Sequence, residues 1–186
     1  MGKDWGVQEK LALLNGMNAI QQMLIVGIFS ADRMQEYTSP GYKSYGRSLV
    51  EEVKPYIDSN FRTLPGPQAT GVMGSSLGGV VSFYTGWQWP DVFGNVGCLS
   101  STFTYKDNLV ERVLHEERKD IRFYIDSGWP GDNYEVGWRW PWLWQSVVIV
   151  MVTIFCILHF RPPSIQSGIG ASACICRFSF SPAGRP

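Results

Sequence analysis

Ala69-Thr70-Gly71-Val72-Met73-Gly74-Ser75-Ser76-Leu77-Gly78-Gly79-Val80-Val81 is the stretch from which the rest of this chain is read. Ala69 to Met73 is a short run suited to a buried strand, and from Leu77 to Gln88 the apolar residues recur at helical spacing. Between them Gly74 and Gly78 stand two before and two after Ser76. A sharp strand-to-helix turn of this kind lifts a serine above a sheet edge, and small residues at those two places let the backbone crowd. Ser76 is therefore the candidate nucleophile. The N–H of Leu77, at the helix start, is the natural donor to an oxyanion. A serine hydroxyl is a poor nucleophile by itself, so a base and oxyanion donors must accompany it.

Outward from that turn, strands and helices alternate. Val7, Leu11, Leu14, Met17 and Ile20 carry a helical period over 5–22, and Met23 to Ile28 reads as a strand. Phe29 to Ser44 reads as a loop ending in the turn signal Ser39-Pro40-Gly41. Residues 46–61 read as an amphipathic helix in which Pro55 enforces a kink or a register change. Val96 to Ser100 and Ile121 to Ile125 read as strands, with a charged helix from Asn108 to Arg118 between them. The alternation predicts an α/β fold, a mostly parallel sheet with helices on both faces.

The triad acid should follow the serine, in a loop beyond a later strand. Asp126 and Asp132 both stand in Asp126-Ser127-Gly128-Trp129-Pro130-Gly131-Asp132. Asp132 lies where a side chain can reach back to a histidine and is the favoured acid. Asp126, at the strand end, is suited to capping the loop. The chain has 2 histidines. His115 sits on a charged helix ahead of the acid loop and reads as solvated. His159 comes in the right chain order, within an unusual tail.

The runs Ile25-Val26-Gly27-Ile28, Arg33, Glu36, Tyr37 and Pro40, Glu52-Val53-Lys54-Pro55-Tyr56-Ile57, Phe61-Arg62-Thr63 and Gly74-Ser75-Ser76-Leu77-Gly78-Gly79 together resemble the putative-esterase family. Trp87, Pro90, Phe93, Ser100 and the loop from Asp126 to Asp132 fit the same pattern, so the likeness runs from about Trp5 to Val136. The family includes enterochelin-type trilactone esterases, feruloyl and acetyl-xylan esterases and S-formylglutathione hydrolases. The resemblance implies an α/β-hydrolase fold and a serine–acid–histidine triad with no metal or other cofactor. It implies Ser76 as nucleophile, Leu77 as oxyanion donor, Asp132 as acid and a small-molecule ester as substrate. It also implies about three strands ahead of Met23 to Ile28, one of whose loops supplies a second oxyanion donor. These strands are not found here, which reads as an N-terminal truncation. An acyltransferase is a close catalytic variant, and an inactive hydrolase-like chain or a membrane-tethered module is the alternative.

Composition sets the remaining bounds. The chain has 186 residues, 45% hydrophobic and 17% charged, enough for one domain with a real core. A net charge of zero gives nothing that points to nucleic acid. Met1 to Lys10 is polar and mixed rather than a secretory leader, which predicts a cytoplasmic protein. Cys98, Cys156, Cys174 and Cys176 lack metal-site spacing and read as free thiols.

The averages conceal a break. All 16 acidic residues lie at or before Glu135, whereas 137–186 holds Arg139, Arg161, Arg177 and Arg185 as its only charges. Trp138, Trp140, Trp142 and Trp144 alternate there. Residues 1–136 are read as an incomplete hydrolase core and 137–186 as an aberrant hydrophobic tail, out of frame or poorly ordered. A membrane segment over Trp138 to Phe160 is the literal reading, but its apolar run from Val147 to Leu158 is short of the ~20 residues a span needs. Codons permitted by Gly137 to Trp144, read from the third base, encode an alternation of Met and Ala. Continuing to Phe160, that frame permits a helix, a glycine stop and a strand.

Overall fold

The structure, a computed structural model, describes residues 6–126 and the backbone of two further strands at 156–159 and 175–179. Helix α1 (Val7–Gly16) leads into strand β1 (Met23–Phe29). A helical region follows: α2 (Arg33–Glu36), α3 (Gly41–Ser48), a π turn (Leu49–Val53) and α4 (Lys54–Asn60). Then come β2 (Thr70–Ser75), α5 (Leu77–Gln88), β3 (Asn95–Leu99), α6 (Leu109–His115) and β4 (Arg122–Asp126). Strands β5 (Cys156–His159) and β6 (Ile175–Ser179) complete the sheet.

The sheet runs in the order β4-β3-β2-β5-β1-β6. β2, β3 and β4 are parallel, with Val72 opposite Val96 and Val96 opposite Phe123. β6 is parallel to β1, and β5 lies antiparallel between β1 and β2. This is the mostly parallel sheet with helices that the alternation of elements predicts.

One sheet face carries most of the core. Leu24, Val26, Val72, Val96 and Phe123 project from it into a cluster with α3 to α6. Central strand β2 is buried along nearly its whole length, and α5 is buried from Gly78 to Trp87, so neither shows an amphipathic pattern. Phe83 packs against Phe123 with centroids 5.1 Å apart, against Trp87 at 5.8 Å and edge-on to Phe103 at 5.5 Å. The opposite face is covered at Ile25, where Val7 and Leu11 of α1 pack. Helices thus lie on both faces, unequally.

One local feature departs from the sequence reading: the expected loop from Phe29 to Ser44 contains α2 and the first half of α3. Asp32 starts α2 by accepting from the N–H groups of Met34 (3.0 Å) and Gln35 (3.1 Å). Pro55 marks the register change expected of it, without breaking the helical run over 41–60. It sits in the first turn of α4, where its missing N–H costs least, and the π turn just ahead absorbs the mismatch. The fold expectations for 127–155 and 160–174 concern positions outside the described residues.

Candidate active site

Ser76 occupies the junction between β2 and α5 with φ 55° and ψ −120°. That conformation is strained for a residue with a side chain. Its own N–H donates to the Leu99 carbonyl of β3 at 2.8 Å, which holds the turn against the neighbouring strand. Behind the serine, a Cβ on Gly74 would lie 2.3 Å from the Gly78 carbonyl carbon, and one on Gly79 would lie 1.7 Å from the Ser101 hydroxyl. Glycine at both places is a packing requirement. The turn brings two backbones together as an elbow demands.

A serine at a helix N-cap ordinarily folds its hydroxyl over the first N–H groups. Ser76 makes no such bond, whereas Asp32 caps α2 and Asn108 caps α6. The Ser76 side chain is exposed, and its hydroxyl is left for other chemistry. The Ser76 carbonyl accepts from Gly79 N–H (3.0 Å) and Val80 N–H (3.2 Å). Leu77, as the first helical residue, has an N–H with no intrahelical acceptor, at the positive end of the helix dipole.

The C-terminal ends of β2, β3 and β4 share the edge at which Ser76 stands, the side of a parallel sheet where sites are built. Asp126 ends β4 at this edge. Its Oδ1 accepts from the Ser100 N–H at 2.8 Å and its Oδ2 from the Tyr124 hydroxyl at 3.1 Å. Burial, followed by the Asp126 charge and hydrogen bond, pushes the Tyr124 hydroxyl pKa up. Asp126 is thus a clasp between β3 and β4, reaching across to Ser100 rather than capping its own loop. Asp132 lies outside the described residues, as does Trp129.

Both histidines are placed at the other edge. His159 pairs with Met23, the first residue of β1, and its neighbour Leu158 with Thr70, the first residue of β2. Ser76 is six residues beyond Thr70, roughly 20 Å along the strand. His115 ends α6, exposed, its Nδ1 2.8 Å from the Glu111 carbonyl, before the chain enters β4 at that same far edge. The His115 imidazole does not stand beside Ser76, and the His159 backbone lies at the opposite ends of these strands.

Other nucleophiles fare worse. Cys98 is fully buried in β3, and burial pushes its thiol pKa up, with the Asp126 charge adding to the effect. Trp87 is a core residue stacked in the aromatic cluster, and Trp89 caps the far end of α5, so neither lines the elbow. Among the described residues no three His, Cys, Asp or Glu side chains gather where they could hold a metal ion. The interaction least visible in the sequence is the β3 exit, where the Leu99 carbonyl, the Ser100 N–H and the Ser101 hydroxyl all bear on the elbow or its neighbour. Its only signal is the run of small polar residues after β3.

The family model described as "Putative esterase" matches residues 18–147. The chain belongs to this esterase family. The match covers the turn at Ser76 and residues 126–132 and ends short of His159. Among curated proteins, two from Bacillus subtilis (strain 168) are similar. Uncharacterized protein YbbA is 26% identical over 108 residues, half of this chain and 43% of that protein. Uncharacterized protein YjcH is 30% identical over 114 residues, 59% of this chain and 47% of that protein. The chain thus spans under half the length of the curated relatives it matches. A solved structure, enterobactin esterase FES from Shigella flexneri in the presence of 2,3-Di-hydroxy-N-benzoyl-serine, is similar at a TM-score of 0.47. It shares 19% identity over 63% of this chain and 30% of its own. Among the described residues no helix is long and apolar enough to cross a membrane.

Proposed function

We propose that the protein is a serine carboxylic-ester hydrolase acting on a small-molecule ester through an acyl-enzyme on Ser76. The observation that carries this reading is the strained, uncapped and exposed Ser76 at a strand-to-helix elbow. Family membership supports the same reaction class. Ser76 Oγ attacks the ester carbonyl carbon and gives its proton to a general base. The carbonyl oxygen takes up negative charge and receives the Leu77 N–H. The tetrahedral adduct collapses, the alcohol leaves with the proton, and water then hydrolyses the acyl–Ser76 ester. Asp132 is the residue we assign to orient the base.

The position of His115, and of the His159 backbone, at the far sheet edge supports a reading in which neither is the base. This leads to a specific expectation for the 186-residue chain. Turnover of p-nitrophenyl acetate should be slow, and added imidazole should raise it above the Ser76→Ala background by supplying the missing base. His115→Ala should leave both rates unchanged. Equal rates for the unmodified chain and Ser76→Ala, with and without imidazole, would refute the serine mechanism.

The placement of His159 also favours the out-of-frame reading of 137–186, which we propose for the same stretch. It accounts together for the absent acids, the alternating tryptophans and a histidine at the wrong edge. Resequencing homogeneous DNA around the codons for Val136 and Gly137 tests it. A clean uninterrupted frame would overturn it.

A further inference from the structure

At the end of α5 away from Ser76, an open cleft of about 370 Å³ lies between α3, α5 and α6, lined by Lys43, Arg47, Tyr84, Gln88, Trp89 and Arg112. That volume is in the range of small-molecule sites, ~300–1,000 Å³. Tyr84 lies about 12 Å along the helix axis from Ser76 and Gln88 about 18 Å, so the cleft and the elbow are separate places.

Its lining carries three cations and no carboxylate. The Arg112 guanidinium is fixed by the Glu116 carboxylate (Nε to Oε1, 2.6 Å) and by Gln88 (Nη2 to Oε1, 3.0 Å), and it lies 5.4 Å from the Tyr84 ring centroid. Those bonds orient it while using two of its five N–H donors. Arg47 has only a loose contact with Glu51, 3.8 Å apart with both side chains mostly exposed, a pair worth little. The Lys43 ammonium has no partner among the described residues. Tyr84 is 5% exposed, and its hydroxyl makes no hydrogen bond among the described residues although its ring stacks on Tyr42 at 4.0 Å. The hydroxyl oxygen itself reaches solvent. Here it borders the cleft beside the cations. Trp89, half-buried, supplies an aromatic surface.

A plainer account exists for some of these charges, since cations complement the carbonyl end of a helix. Lys119 does so by donating to the Trp87 carbonyl at 2.8 Å, and Arg112 contributes through Gln88. Lys43 and Arg47 do not, because they project from α3 and bond to nothing on α5. The account therefore leaves two cations unexplained.

We propose that this cleft binds a phosphate monoester carried on a planar ring, with Lys43, Arg47 and Arg112 holding the phosphate, the Tyr84 hydroxyl donating to it and Trp89 lying against the ring. A dianion suits three cations better than a carboxylate does, and the planar group suits Trp89. The site is independent of the ester chemistry.

Calorimetric titration of the 186-residue chain with phenyl phosphate, adenosine monophosphate and inorganic phosphate tests this. One or both ring-bearing ligands should bind at least about tenfold more tightly than inorganic phosphate, and binding should weaken with added salt. Which of the two binds better distinguishes an aryl phosphate from a nucleotide. K43A/R47A should weaken binding about tenfold or more. Tyr84→Phe should weaken it while keeping thermal stability, since the hydroxyl has no protein partner to lose. Ser76→Ala should bind as tightly as the unmodified chain. No binding, equal affinity for inorganic phosphate, or indifference to K43A/R47A in the folded variant would each overturn the assignment.

Discussion

At its first residue α5 follows a serine held at positive φ with its hydroxyl uncommitted, whereas its last turn is enclosed by side chains that satisfy one another. Lys119 donates to the Trp87 carbonyl at 2.8 Å, and the Trp87 indole N–H donates to Glu116 at 2.6 Å. Arg112 bridges Glu116 and Gln88. The first end carries strain and open N–H groups, which cost stability but stand where the proposed reaction would place its oxyanion. The last end is where the helix is held. One buried helix thus separates the two ends, with the charged side-chain contacts grouped at the end away from Ser76.

The contrast is broken most directly at Gly74. Gly74→Ala places a methyl group 2.3 Å from Gly78 backbone atoms, which no side-chain rotation can relieve. A loss of about 3 kcal/mol is expected, the upper part of the range for overpacking. The urea midpoint should fall at constant slope. A midpoint within experimental error of the unmodified chain would mean that the elbow is not held by this backbone contact.

A smaller effect sharpens the picture at Ser76. Ser76→Ala and Ser76→Gly both remove the hydroxyl, but only glycine adopts φ 55° freely. Ser76→Gly should be about 1 kcal/mol more stable than Ser76→Ala, with ester turnover equally absent in both. Equal stability of the two would show that the serine backbone stores no strain.

Much of this arrangement was legible in the sequence for a physical reason. β2 and α5 are read correctly because Gly74 and Gly78 flank a serine between an apolar run and a helical period, and only an elbow needs all of these at once. β1, β3 and β4 are short buried runs between turn signals and fall within a residue or two of where they were expected. α2 falls in an expected loop because four residues are too few to show a period, and its start rests on the Asp32 cap alone. The Asp126 clasp left a sequence trace only as an alternative, since a carboxylate at a strand end can cap or catalyse. The edge at which each histidine falls is a property of strand direction and register. No local pattern encodes it, and β5 lies antiparallel in an otherwise parallel sheet.

The mildest test lies at the held end of the helix and depends on pH. Burial pushes the Glu116 carboxyl up, but hydrogen bonds from Arg112 and Trp87 and the charges of Arg112 and Lys119 more than reverse this, holding its pKa down at about 2. A carboxylate depressed on folding contributes stability that is fully present above its unfolded pKa, near 4.5, and is lost as pH falls through about 2. Glu116→Gln keeps an oxygen for the Trp87 N–H and removes the charge. At pH 6 the unmodified chain should exceed Glu116→Gln in stability by about 1 kcal/mol or less, the partly exposed carboxylate being screened by solvent. Urea unfolding at pH 2.5 should show most of that margin gone. A margin unchanged between the two pH values would mean that the C-terminal end of α5 is held by packing of Trp87 and Phe83 rather than by this charged cluster.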